Sequence, residues 1–137
     1  MIVTIPELTG AECGDIAITA AEGGIGYWSE ILRYEPSRWS AAWSELMDPP
    51  GTPDNVEVAD DFVFYQIVYE NPTRPGRGSA SITPPLLKIG LEIAMNQRLP
   101  GIARLVRIGR EDWTGEIDSD GADVIVQCGI FGEVVFG

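Results

Sequence analysis

The stretch Val56 to Glu70 constrains the fold of this chain more than any other. Read as a strand, it places Phe62, Phe64 and Val68 on one face, with Gln66 interrupting them, and Val63, Tyr65, Ile67 and Tyr69 on the other. A strand that is apolar on both sides needs at least partial cover on both, so the chain has to layer other elements around it. The flanking sequence supplies them. Thr9, with Glu12 three residues on, forms a capping-box pattern ahead of a helix over Ala11 to Glu22 that Gly23-Gly24 ends. Gly14, Ala17, Ala20 and Ala21 keep that helix thin enough to pack closely on a neighbour.

The remaining elements follow from local chemistry. Ile2 to Ile5 is a short β-branched strand stopped by Pro6, and Tyr27 to Glu35 is a second strand stopped by Pro36. Ser37 caps a helix carrying Trp39, Trp43, Leu46 and Met47, and Asp48 to Asn55 is too rich in proline to be regular. Asn71 to Ser81 is a second Pro/Gly-rich loop. Thr83 followed by Pro84 and Pro85 starts a helix that runs from Leu86 to Gln97, since proline is tolerated in a first turn. Residues 101–110 fit a short helix or a strand. Asp118 or Ser119 caps a last helix, nearly all apolar from Val124 to Phe131, which Gly132 breaks before a closing strand over Glu133 to Phe136. Helices and strands without regular βα alternation give an α+β class: one domain over residues 1–137, with a small mixed or antiparallel sheet and three to four packed helices.

Composition narrows function by exclusion. At 45% hydrophobic and 22% charged residues the chain is globular and not disordered. With 21 acids against 9 bases the net charge is −12, which argues against direct nucleic-acid binding. There is no histidine, so histidine triads, His-Cys zinc sites and the usual acid/base group near neutral pH are absent. Met1 to Pro6 has no signal-peptide character and no stretch is long and apolar enough for a bilayer, so no membrane association is expected. Cys13 and Cys128 read as buried reduced thiols, which places the protein in the cytoplasm.

Charge is unevenly distributed. Residues 1–73 hold 13 acids and 2 bases, residues 74–110 hold 1 acid and 7 bases, and residues 111–137 hold 7 acids and no base. The basic block either neutralises the acidic ones across the fold or forms an anion site. The best anion-site candidate is Thr73 to Ser79, where Arg74 and Arg77 can fork onto a phosphate or carboxylate, two glycines allow close approach and Ser79 adds a hydroxyl. It is not a Walker loop, because no GK[ST] follows. In Gly23 to Trp28 the glycines precede the strand, the reverse of a dinucleotide fingerprint. Tyr27 and Trp28 either stack a ligand ring or anchor the core. Trp39 and Trp43 belong either to the core or to a protein interface, including a homo-oligomeric one.

Other carboxylates carry less. Asp118 to Asp123 resembles a calcium loop only in part. With Glu116 first, the twelfth place falls on Gln127, which cannot give a bidentate carboxylate, so helix capping explains the run better. Asp60 and Asp61 face opposite sides of a strand, and Glu12 with Asp15 forms no recognisable acid/base motif. No metal, no cofactor and no enzymatic activity are expected.

Two stretches resemble a family of small phage- and plasmid-borne proteins: Thr19 to Trp28 (TAAEGGIGYW) and Asp120 to Gly137 (DGADVIVQCGIFGEVVFG). That family typically reads TALEGGINYW near its start and DADVIVQ-x-x-LFGEVVYG at its end, with Gly26 here standing for the asparagine and Phe136 for the tyrosine. The resemblance implies a phage or mobile-element setting and an accessory role against host defence, and no mechanism. Three expectations follow. The protein sequesters a small anionic, nucleotide-like ligand through Arg74, Arg77, Ser79, Tyr27 and Trp28. Alternatively it acts as an acidic decoy for a host nucleic-acid-binding protein, or as a ligand-free oligomer with Trp39 and Trp43 at its interface.

Overall fold

Two helix starts and one helix stop follow directly from side-chain capping. Thr83, in extended conformation, accepts a hydrogen bond from the Leu86 amide at 3.4 Å, and Pro84 occupies the first turn, where its missing N–H costs nothing. Asp118 accepts from the Gly121 amide at 2.9 Å. Gly132 closes the last helix at φ +76°, in the left-handed region, and its amide donates to the Cys128 carbonyl at 3.0 Å.

The computed structural model describes residues 8, 10–37, 39, 60–99, 102 and 117–137. In chain order they form α1 (Gly10–Thr19), a π-helical turn (Ala20–Gly24), β1 (Ser29–Leu32), β2 (Tyr65–Glu70), β3 (Arg77–Ile82), α2 (Pro84–Asn96) and α3 (Ser119–Phe131). The architecture is α+β, with a three-stranded antiparallel sheet in the order β1-β2-β3 packed with the helices. The expected strand at Ile2 to Ile5, the cap at Thr9, Trp43, Leu46 and Met47, the loop Asp48 to Asn55, residues 56–59 and all of 101–110 except the buried Ile102 lie outside the described residues.

Register sets the two faces of the sheet. Ile31 pairs with Ile67 and Ile67 with Ala80, Ser29 with Tyr69 and Tyr69 with Gly78, and Tyr65 with Ile82. Tyr65, Ile67, Tyr69 and Ile82 are buried, so this is the core face. The Tyr65 hydroxyl donates to the Ala17 carbonyl at 2.7 Å and ties the sheet to α1. Leu32, Gln66, Val68, Ser79 and Ser81 line a shallow depression on the outer face.

Three expectations need correction. The stretch Asn71 to Ser81 is not one loop: the turn closes by Asn71 N–H to Gly76 O at 2.9 Å, and Arg77 onward is strand. Gly78, Ser79, Ala80 and Ser81 carry little intrinsic β preference, and the open edge of β2 pairs them regardless. The strand expected over Tyr27 to Glu35 is only Ser29–Leu32, with Tyr27 and Trp28 in the preceding turn. The long strand ending at Glu70 begins its ladder at Tyr65. Phe64 and Tyr65, neighbours expected on opposite faces, are therefore both buried, while Val63 is exposed.

The core is continuous across α1, α2, α3 and the sheet, and it includes Ile16, Ile67, Leu87, Leu91 and Ile125. Helices α2 and α3 touch through their backbones. A methyl group at Gly90 would collide with the Ile125 carbonyl, and one at Gly129 would sit 2.5 Å from the Leu86 carbonyl oxygen. Cys13 and Cys128 are both free and buried, as the sequence suggests.

Candidate functional site

Among the described residues the two buried polar side chains, Asp123 and Gln127, lie where the first turn after the π-helix meets α3. The π-turn closes with Ile25 N–H to Ala20 O at 3.0 Å, and Ser29 caps the turn by donating from its hydroxyl to the Ile25 carbonyl at 2.8 Å. Gly24 is buried against α3, where a side chain would stand 2.8 Å from the Ser119 carbonyl. That close approach aims Tyr27 and Trp28 at Asp123.

Asp123 is 9% exposed and accepts three hydrogen bonds: from the Tyr27 hydroxyl at 2.7 Å, the Trp28 indole N–H at 2.8 Å and the Gln127 amide at 2.9 Å. Three donors compensate the burial of this carboxylate. Gln127, fully buried one turn further along, holds the segment after Gly132. Its Oε1 accepts from the amides of Val135 and Phe136, both at 2.8 Å, and its Nε2 lies 3.2 Å from the Phe136 carbonyl. The Phe136 ring stacks on Trp28 at 4.9 Å and 8°, and Tyr69 and Phe131 pack on the same indole at 5.9 and 6.0 Å. The closing strand expected over Glu133 to Phe136 is therefore corrected to a segment that pairs with no strand among the described residues. The side-chain amide of Gln127, which has the same donor and acceptor as a peptide group, takes the partner's place.

The five expected ligand residues do not form one cluster. Trp28 is 8% exposed and its ring belongs to the core face, while Tyr27 is 62% exposed. Arg74 is exposed in the β2–β3 turn. Arg77 and Ser79 lie on the outer face, where Arg77 reaches Glu70 at 3.4 Å and Glu30 at 3.8 Å. Trp39 is 5% exposed and packs edge-on against Tyr34 and Phe64 within the core, while Trp43 lies outside the described residues. Asp118 caps as expected. Local pattern does not pair Asp123 with Gln127; the signal for the pair is two polar residues one helical turn apart, the second inside the apolar run from Val124 to Phe131. Among the described residues no group of histidine, cysteine or carboxylate side chains could hold a metal ion, and no helix is long and apolar enough to cross a membrane.

Burial raises several acids that are neutral at physiological pH. The Tyr27 hydroxyl is pushed up to about 12 by desolvation, then by its hydrogen bond to Asp123 and that residue's charge. Burial pushes the Cys13 thiol to about 12 against the partly opposing charge of Lys88, and raises Tyr65, Tyr34 and Cys128 as well. A raised folded-state value means that the unfolded chain loses its proton first. Stability from these groups is complete below about pH 8.5, the unfolded thiol value, and is lost as pH rises toward the folded values. Thermal melts between pH 8 and 11 should therefore show a continuous fall in Tm. A Tm flat to pH 11 would contradict the burial of Cys13 and Tyr65.

Comparison of the chain with protein-family models, with curated proteins and with solved structures finds no match.

Proposed function

We propose that the protein works by binding, as an accessory protein of a phage or mobile element, and that its acidic exterior captures a basic, nucleic-acid-binding protein of the host cell. One observation carries this reading. Eleven of the thirteen described carboxylates are exposed, all but Glu12 and Asp123. The exposed bases among the described residues are Arg33, Arg74, Arg77 and Arg98, and Arg77 is already engaged by two carboxylates. Such a surface steers basic partners and repels nucleic acid.

The test is binding to a panel of purified nucleic-acid-binding proteins, with duplex DNA as competitor. The expected result is a complex that DNA displaces and whose affinity falls at least about tenfold between roughly 50 and 300 mM salt. Binding that ignores salt and DNA, or no binding across the panel, would overturn it.

A second reading, sequestration of a small nucleotide-like anion, is favoured by Arg74 and Arg77 being exposed on one hairpin. Its ligand has to displace Glu70 and Glu30 from Arg77. Native mass spectrometry of the purified protein separates the two: a ligand-sized adduct on each chain supports the anion, and a bare mass favours the acidic surface.

A further inference from the structure

The sheet has two outer edges, on β1 and on β3, and they are built differently. The β1 edge carries Glu30 and ends at Arg33, which has φ +60°, a conformation no strand continues through. Charge and a break in the strand are ways in which edges are kept from pairing with other chains. Strand β3 has neither from Gly78 to Ile82, a run with no charge, no proline and one large side chain. The hairpin turn sets the direction of its backbone groups. Asn71 N–H donates to Gly76 O at 2.9 Å, and hydrogen-bonded pairs alternate along an antiparallel ladder. Gly78 and Ala80 therefore turn their N–H and C=O groups toward Tyr69 and Ile67 of β2. Arg77, Ser79 and Ser81 turn theirs to the outer edge, where no strand meets them among the described residues.

We propose that the edge of β3 is a strand-pairing surface, and that its occupant is β3 of a second copy of this chain, antiparallel across a twofold axis. Charge selects the occupant. The chain carries a net charge of −12, so a second copy is repelled wherever carboxylates would meet. Every other described helix, turn and strand holds at least one carboxylate, whereas β3 holds none and has Arg77 at its start. A basic partner is drawn to the carboxylates and not to this edge; for another acidic copy, β3 is the approach that sets no carboxylate against carboxylate. The sequence of the strand also suits self-pairing. With Ala80 facing Ala80 of the second copy, Ser79 and Ser81 stand opposite Ser81 and Ser79, which gives about four main-chain hydrogen bonds and brings the hydroxyls side by side. Arg77 then falls opposite Thr83, so no like charges meet. A twofold axis perpendicular to the sheet keeps both core faces on one side, and the two sheets become one. Side chains this small bury little area, so the dimer is a weak one that concentration populates. The proposal goes beyond the acidic-surface reading and does not rest on it, since β3 is the element that lacks the acids.

Sedimentation of the full chain between about 10 μM and 1 mM, at roughly 50 and 500 mM salt, tests it. The mean mass should climb with concentration toward twice that of the monomer, and further at the higher salt. Screening weakens the repulsion between two acidic chains and leaves main-chain pairing in place. Capture of a basic protein responds to salt in the opposite direction, so failure of one reading is distinguishable from failure of the other. Ser79→Pro removes an N–H that points to the outer edge and spares the ladder with β2, a position where edge strands tolerate proline. That variant should stay monomeric. A parent that is monomeric throughout, or a Ser79→Pro variant that dimerises as the parent does, overturns the proposal. If circular dichroism shows Ser79→Pro to be unfolded, Ala80→Cys takes its place. Facing α-carbons of such a non-hydrogen-bonded pair lie about 4.5 Å apart, within disulfide reach, so mild oxidation should link two copies through position 80. An Ala80→Cys chain that stays unlinked overturns the pairing.

Discussion

Asp123→Ala is expected to lower the stability of the protein by about 3 kcal/mol, because it strands the donors that now converge on one carboxylate. The Trp28 indole N–H, at 2.8 Å, is buried and has no other acceptor among the described residues. The Gln127 amide, at 2.9 Å, keeps only the Phe136 carbonyl and the Tyr27 oxygen. Tyr27 is largely exposed, and water replaces its lost partner at little cost. Asp123→Asn preserves shape and keeps an oxygen for the indole, while its NH2 turns the Tyr27 hydroxyl into an acceptor, so the loss should be only about 1 kcal/mol. Urea unfolding of the three proteins measures both. Equal losses for the alanine and asparagine variants would mean that the hydrogen bonds at Asp123 are not what holds the turn to α3.

Gly90→Ala carries the second large effect, and its sign is the informative part. In an ordinary helix interior, alanine in place of glycine stabilises by about 1 kcal/mol. Here the added methyl would enter the backbone of α3 at the Ile125 carbonyl, 3.0 Å from the Gly129 amide nitrogen. Backbone cannot rotate aside as a side chain does, so the two helices must separate, and core contacts such as those of Leu87, Leu91 and Ile125 separate with them. A loss of about 3 kcal/mol is expected, at the upper end of what overpacking costs. A variant as stable as the parent would show that α2 and α3 do not cross at this point.

Which features were legible in the sequence depended on how local their causes are. The helix starts at Thr83 and Asp118 and the stop at Gly132 are settled by a few neighbouring residues, and each appears as expected. Burial of Cys13 and Cys128 follows from their small apolar surroundings. Strand β3 is different, because Gly78 to Ser81 has no β-branched residue and only Ile82 is buried, so its pairing is imposed by β2. The segment after Gly132 shows the opposite case. Val134-Val135-Phe136 has strong strand character but pairs with no strand among the described residues, the amides of Val135 and Phe136 donating instead to a side chain of α3. The arginines at 74 and 77 promised an anion site by type and spacing. Strand alternation, which a Pro/Gly-rich segment does not display, sets Arg77 among carboxylates on the far side of the sheet from Trp28.

The bonds from Gln127 to Val135 and Phe136 also bear on solubility. A short apolar segment rich in valine and phenylalanine with unpaired amides is a template for intermolecular β-pairing and aggregation. In this protein a single buried amide occupies those donors, and Trp28 covers the adjoining ring. Helix α3 thus does for Val135 and Phe136 what an edge charge or a proline does elsewhere: it keeps a sticky segment from finding another of its kind.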